Sequence, residues 1–184
     1  MRVNSSEADL SPIIFDNTVL SNFALVQAFY ILKSLYSGRA FVGQAVQREI
    51  LTGIESASQS FNLSNRAKLQ EITQALSNGW LQTPPQNSGS NDEVIELQTT
   101  SEYSKRFGDG ESEAMAIARN RNWVFASDDG AARKFAREQG IRLTGSVGIL
   151  VKAVQCQFLS CSLADIIHAQ MIDEGYRSPL PVFY

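Results

Sequence analysis

The chain has 184 residues, 43% of them hydrophobic, and a formal net charge of −3. That is enough apolar material for one compact domain and too much for general disorder. The acidic balance argues against a broad basic surface that grips long DNA. One histidine, and two cysteines at no metal-ligand spacing, argue against a zinc cage or a histidine-based triad.

Residues 1–10 are polar and read as a flexible tail, leaving 11–184 as a single domain. They contain no apolar signal-peptide core, and no stretch approaches the ~20 apolar residues that cross a bilayer. The expectation is a cytoplasmic protein without membrane contact, with Cys156 and Cys161 as buried or half-buried free thiols. Pro12 to Phe15 predicts a short buried strand. Asn17 or Thr18 then caps two short helices, or one bent one, ended by Ser37-Gly38. Ala40 to Val42 predicts a second strand. Gly43-Gln44 opens a helix expected to stop at Gly53, and Ser56 to Ser60 reads as a loop. A helix from Leu63 to Leu76 closes at Asn78-Gly79, and Trp80-Leu81 is a brief extended piece. Pro84 to Asn91 is rich in proline and small polar residues and suits a surface loop.

Asp92 to Arg106 is the next expected helix, broken by Gly108-Asp109-Gly110. Glu111 to Arg119 follows as a helix, Trp123 to Ala126 as a strand, Ala131 to Glu138 as a helix and Ile141 to Thr144 as a strand. Gly145 to Val154 and Leu163 to Glu174 complete the series. Short apolar strands separated by helices predict a parallel sheet wrapped by helices, an α/β architecture.

Four acidic places stand out where apolar elements end or pack: Asp16, Glu49, Glu111 with Glu113, and Asp128 with Asp129. Carboxylates attached to buried elements are costly unless paired, hydrogen-bonded or metal-bound. Ligands of open parallel sheets bind beyond the C-terminal strand ends, where Asp16 and Asp128-Asp129 fall. Glu49 shares a helix face with Ala45 and Val46. Glu111 lies on the inward face of an alanine-rich helix, with Glu113 rotated about 200° from it. Both glutamates reach one site only if the first helical turn is irregular. Each acid has a plainer alternative: a turn acid at Asp16, an arginine salt bridge at Glu49, a macrodipole interaction at Glu111 and Glu113, an N-cap at Asp129. Taken jointly they form a hard-oxygen set suited to Mg²⁺ or Mn²⁺. One or two such ions, about 4 Å apart when paired, can clamp a phosphodiester and activate water without histidine.

The chain resembles the PIN-domain ribonucleases, especially the bacterial and archaeal proteins related to the toxins of toxin–antitoxin pairs. The likeness is densest in Gly-Glu-Ser-Glu-Ala-Met-Ala-Ile-Ala (110–118), Ser-Asp-Asp-Gly-Ala-Ala-Arg-Lys-Phe-Ala (127–136) and Leu-Thr-Gly-Ser-Val-Gly-Ile-Leu-Val-Lys (143–152), with support at Phe15 to Asn22 and Val46 to Ile50. It departs at Gly145-Ser-Val-Gly148, where the family usually has Gly-Thr-Leu-Gly, and at Lys152-Ala-Val-Gln155. The resemblance implies a three-layer α/β/α fold with a short-stranded parallel central sheet. It also implies a metal-dependent endoribonuclease acting on RNA. Asp16 and Glu49 match its first two acids, Glu111 or Glu113 the third, and Asp128 or Asp129 the fourth. The inward face favours Glu111, and the Ser-x-Asp order favours Asp129, with Asp128 as a second ligand. Thr18 and Ser127 match hydroxyl residues near the metal. Arg133, Lys134 and Arg137 follow the Asp pair, where they either hold substrate phosphates or form a solvated helix face. A homodimer and a small antitoxin partner are further implications. Two other readings are a PIN-like RNA- or protein-binding module that no longer cuts, and a phosphatase of the haloacid dehalogenase type. The second is weakened because Thr18 stands where that motif needs a second Asp.

Overall fold

A computed structural model describes residues 10–59, 63–86 and 89–180, without the side chains of 54–59 and 63–68. Nearly all of the expected N-terminal tail, residues 1–9, lies outside the described residues, as do Ser60 and two residues of the 84–91 loop. Five strands form one all-parallel sheet in the order β3-β2-β1-β4-β5. They are β1 (Ile13–Phe15), β2 (Ala40–Val42), β3 (Leu81–Gln82), β4 (Val124–Ala126) and β5 (Arg142–Thr144).

Continuous apolar runs mark strands buried on both faces. Because side chains alternate, Ile13 and Phe15 of β1 point into one helical layer and Ile14 into the other. The first layer holds α1 (Asn17–Leu25), α2 (Phe29–Tyr36), α3 (Gln44–Gln59) and α4 (Leu63–Ser77). The last two helices, α8 (Ser146–Gln155) and α9 (Cys161–Asp173), join the same layer. The second layer holds α5 (Asn91–Tyr103), α6 (Asp109–Arg121) and α7 (Gly130–Glu138), around Tyr103, Met115 and Phe135. The fold is therefore the expected three-layer α/β/α arrangement.

Several boundaries differ from expectation. Asp16, rather than Asn17 or Thr18, is the N-cap of α1. Helix α3 does not stop at Gly53 but runs to Gln59, so the expected loop from Ser56 is helical as far as Gln59. Nothing lies within 4 Å of a Cβ built on Gly53, so this glycine costs only helix propensity, about 1 kcal/mol. Packing of α3 on α4 outweighs that. Helix α6 starts two residues early, at Asp109, with Gly108 as its N-cap. Cys156 and Cys161, expected to be buried or half-buried, are exposed because they sit at the end of α8 and the start of α9.

Topology positions the site. The chain moves outward from β1 through β2 to β3, then crosses back to add β4 on the other side of β1. Strand order thus reverses between β1 and β4, and an open α/β sheet binds ligands beyond the C-terminal strand ends at such a point. The Asp16 amide donates to the Ala126 carbonyl at 2.8 Å, holding the two strand ends side by side.

Candidate active site

Asp16 leaves β1 at this reversal and is only 2% exposed. Its Oδ1 accepts the Asn17 amide at 2.7 Å, and its Oδ2 accepts the Thr18 hydroxyl at 2.8 Å and the Ser127 hydroxyl at 3.1 Å. Both hydroxyls are also acceptors: Thr18 takes the Asp128 amide and Ser127 takes the Asp129 amide, each at 3.1 Å. The two hydroxyls therefore lace the start of α1 to the end of β4 while fixing one carboxylate oxygen. Burial raises the Asp16 carboxyl above its ordinary value, and the hydrogen bonds partly oppose that shift.

Glu49 reaches across from α3. Its Oε1 accepts the Gly110 amide at 3.0 Å, in the first turn of α6. Desolvation, and the charges of Asp16, Asp109 and Glu113, raise its carboxyl. Glu111 lies on α6 beside them. Burial is the largest cause raising its carboxyl to about 7, and the charges of Asp16, Asp129 and Glu49 add to it. Asp129 is the N-cap of α7, its Oδ1 accepting the Ala132 amide at 2.7 Å, so the plain capping role holds. Glu111 thus senses the charges of Asp16, Asp129 and Glu49, and Glu49 that of Asp16. Among the described residues none of the four has a lysine or arginine ion pair, unlike Glu96, which pairs with Arg121.

Glu113 and Asp128 have other employment. Glu113 accepts the Gln44 amide at 3.2 Å and the Ala45 amide at 2.7 Å, closing the N-terminus of α3. Helix α6 is regular from Asp109 onward, so the irregular turn that would bring Glu113 beside Glu111 is not formed. Asp128 accepts from four donors: the Ser146 amide and hydroxyl at 2.9 and 2.5 Å, Asn22 Nδ2 at 2.9 Å and the Tyr176 hydroxyl at 3.3 Å. It binds α1, α8 and the segment after α9 to the end of β4. Sequence reading assigned no role to Asn22, Ser146 or Tyr176, which lie far apart in sequence and become visible only through Asp128.

Three glycines make room for these carboxylates. A Cβ on Gly43 would stand 2.4 Å from Glu113 Oε2, one on Gly110 2.5 Å from Glu49 Oε1, and one on Gly145 2.6 Å from Asp128 Oδ1. Arg133 Nη1 donates to the Ser127 and Thr144 carbonyls, both at 2.6 Å, and braces the ends of β4 and β5. Lys134 is exposed on α7.

The donor set is entirely oxygen and suits a hard divalent cation. Among the described residues, no three Asp, Glu, His or Cys side chains converge in a ready-made metal cage. Unneutralised carboxylates repel, and here Asp16, Glu49 and Asp129 are turned toward backbone amides instead.

A parallel sheet whose reversal point carries carboxylates and hydroxyls defines an α/β protein with a candidate site beyond its strand ends. The chain belongs to the PIN-domain family: the family model DUF3368, described as a PIN domain, matches residues 12–183. No curated protein matches the chain significantly. No described helix is long and apolar enough to cross a membrane.

Proposed function

We propose that the protein is an Mg²⁺- or Mn²⁺-dependent endoribonuclease whose metal ligands are Asp16, Glu49, Glu111 and Asp129. The observation that carries this reading is that Asp16 and Asp129 follow adjacent strands at the strand-order reversal, with Glu49 bonded to the first turn of α6 that bears Glu111; burial and these neighbours push the Glu111 carboxyl up to about 7. A divalent cation relieves such an imbalance, and its binding would expel the Glu111 proton. When bound, the cation supplies Lewis-acid polarisation of the phosphodiester and a more acidic water.

The chain's own residues do the positioning. Thr18 and Ser127 hold Asp16 Oδ2, which makes them supports of a metal ligand before they are substrate contacts. Glu49 is steered by the Gly110 amide. Arg133 and Lys134 are the proposed phosphate contacts, although Arg133 also braces two strand ends. Residues 11–184 acting as one domain, a cytoplasmic location, a homodimer and a toxin role with an antitoxin partner complete the proposal. The homodimer and the toxin role rest on the family resemblance.

The test is cleavage of a generic single-stranded RNA in Mn²⁺. Excess EDTA should abolish it, and Asp16→Asn should lower it by roughly a hundredfold or more. Full activity in EDTA contradicts the reading. The second reading, a binding module that does not cut, draws on the lack of a ready-made metal cage among the described residues. RNA binding without Mn²⁺-dependent cleavage would favour it. The phosphatase reading loses ground because the chain belongs to the PIN-domain family and the Thr18 hydroxyl is bonded to Asp16.

A further inference from the structure

Beyond α9 the chain turns back to the acidic edge. Gly175, at φ +103°, makes the reversal. Tyr176 is then buried, with its ring edge-on to His168 and its hydroxyl donating to Asp128. Two residues on, the Ser178 hydroxyl pairs with His168 Nε2 at 2.7 Å and accepts the Leu180 amide at 3.0 Å. The segment is pinned on both sides of Arg177. Arg177 itself is exposed, and among the described residues its guanidinium has no hydrogen-bond or ion-pair partner.

Two depressions meet at this arginine. One, of about 560 Å³, lies between the start of α7 and the β5–α8 turn and also contains Arg133. The other, of about 360 Å³, runs along Asn17, Ser21 and Asn22 of α1. Asp128, Asp129, Tyr176 and Arg177 border both. The first is within the roughly 300–1,000 Å³ of ligand-sized clefts. Arg133 Nη1 is held by two carbonyls, so Arg177 is the uncommitted cation of the pair. A strand passing Asp129 from one depression to the other would also pass Arg177, which lines both. Of the four proposed metal ligands Asp129 borders both depressions, and a polyanion passing it is held by a cation nearby; one carried on a pinned segment loses less freedom on binding.

We infer that Arg177 is a substrate-binding residue that holds a backbone phosphate of single-stranded RNA beside the scissile position, across the two depressions that meet at Asp129. The inference rests on the nuclease reading and adds a contact from the C-terminal segment.

The experiment compares wild type, Arg177→Ala and Arg177→Lys in two assays. The first is steady-state RNA cleavage in Mn²⁺. The second is anisotropy of a labelled single-stranded RNA with Ca²⁺ in place of Mn²⁺, over a range of salt. The alanine variant should raise KM and weaken binding roughly ten-fold with kcat nearly unchanged. Its plot of log affinity against log salt should be shallower by about 0.7, the loss of one phosphate contact. The lysine variant should keep the wild-type salt slope. An unchanged KM and slope in the alanine variant, or a lysine variant as weak and shallow as alanine, overturns the inference. Wild-type protein that binds RNA but never cleaves it sinks the nuclease reading instead, and the anisotropy series still decides for or against Arg177.

Discussion

At Gly110 the site has no room for a methyl group. An added Cβ would stand 2.5 Å from Glu49 Oε1 and 2.9 Å from Cγ2 of the fully buried Val46. Val46 cannot yield, so the start of α6 must shift and the Glu49 carboxylate must leave its bond to the Gly110 amide. Helix propensity favours alanine by about 1 kcal/mol, but crowding a buried valine costs about 1–3 kcal/mol. In Gly110→Ala we expect a modestly lower melting temperature and, well below it, Mn²⁺-dependent cleavage reduced roughly ten- to hundredfold. Unchanged cleavage would show that Glu49 needs no such steering. The sequence made Glu49 conspicuous through its apolar neighbours, but not its partner. A backbone amide 61 residues away leaves no trace in composition or spacing. Asp16 was legible as an acid at a strand end. Its capping role was not, because the helix begins immediately after it rather than one or two residues later.

Helices α3 and α6 cap each other. Glu113 of α6 closes the N-terminus of α3, and Glu49 of α3 closes that of α6, whose own cap is a glycine without a side chain. Each glutamate accepts from amide donors that the other helix leaves orphaned at its N-terminus. Removing Glu113 should therefore act on stability first. Glu113→Ala is expected to cost about 1 kcal/mol in urea unfolding and to change cleavage only a few-fold. A loss of activity as deep as that of Glu111→Gln would make Glu113 a metal ligand after all. Helix faces were readable from sequence: Glu111 and Glu113 were known to point apart, and the regular first turn keeps them apart. The end of α3 was not readable, because a glycine with open space around it is a weak stop once a neighbouring helix supplies packing.

For the molecule as a whole, the strand-order reversal between β1 and β4 decides which acids can meet. Two come from strand ends and two from helices lying in opposite layers, so no local pattern holds them together. The apolar runs and the order of motifs made the architecture legible, while the charge coupling among the acids appears only once the chain is folded. That coupling has a sign that can be measured. Glu111 has a folded-state value of about 7 against an ordinary 4.5, so the folded protein binds the extra proton. The stability this contributes is present below pH 4.5 and lost as pH rises through about 7. His168, lowered by burial, works in the opposite direction as its ordinary 6.5 is passed, so wild type must be read against Glu111→Gln. The decisive measurement is the melting temperature of both proteins from about pH 5 to pH 8, with EDTA and with Mn²⁺. Four carboxylates sharing one cation predict that metal-free wild type loses ground to Glu111→Gln as pH rises. They also predict that Mn²⁺ restores wild type above pH 7 and does far less for the variant. A difference between the two proteins that ignores pH, with equal Mn²⁺ stabilisation of both, would contradict the account.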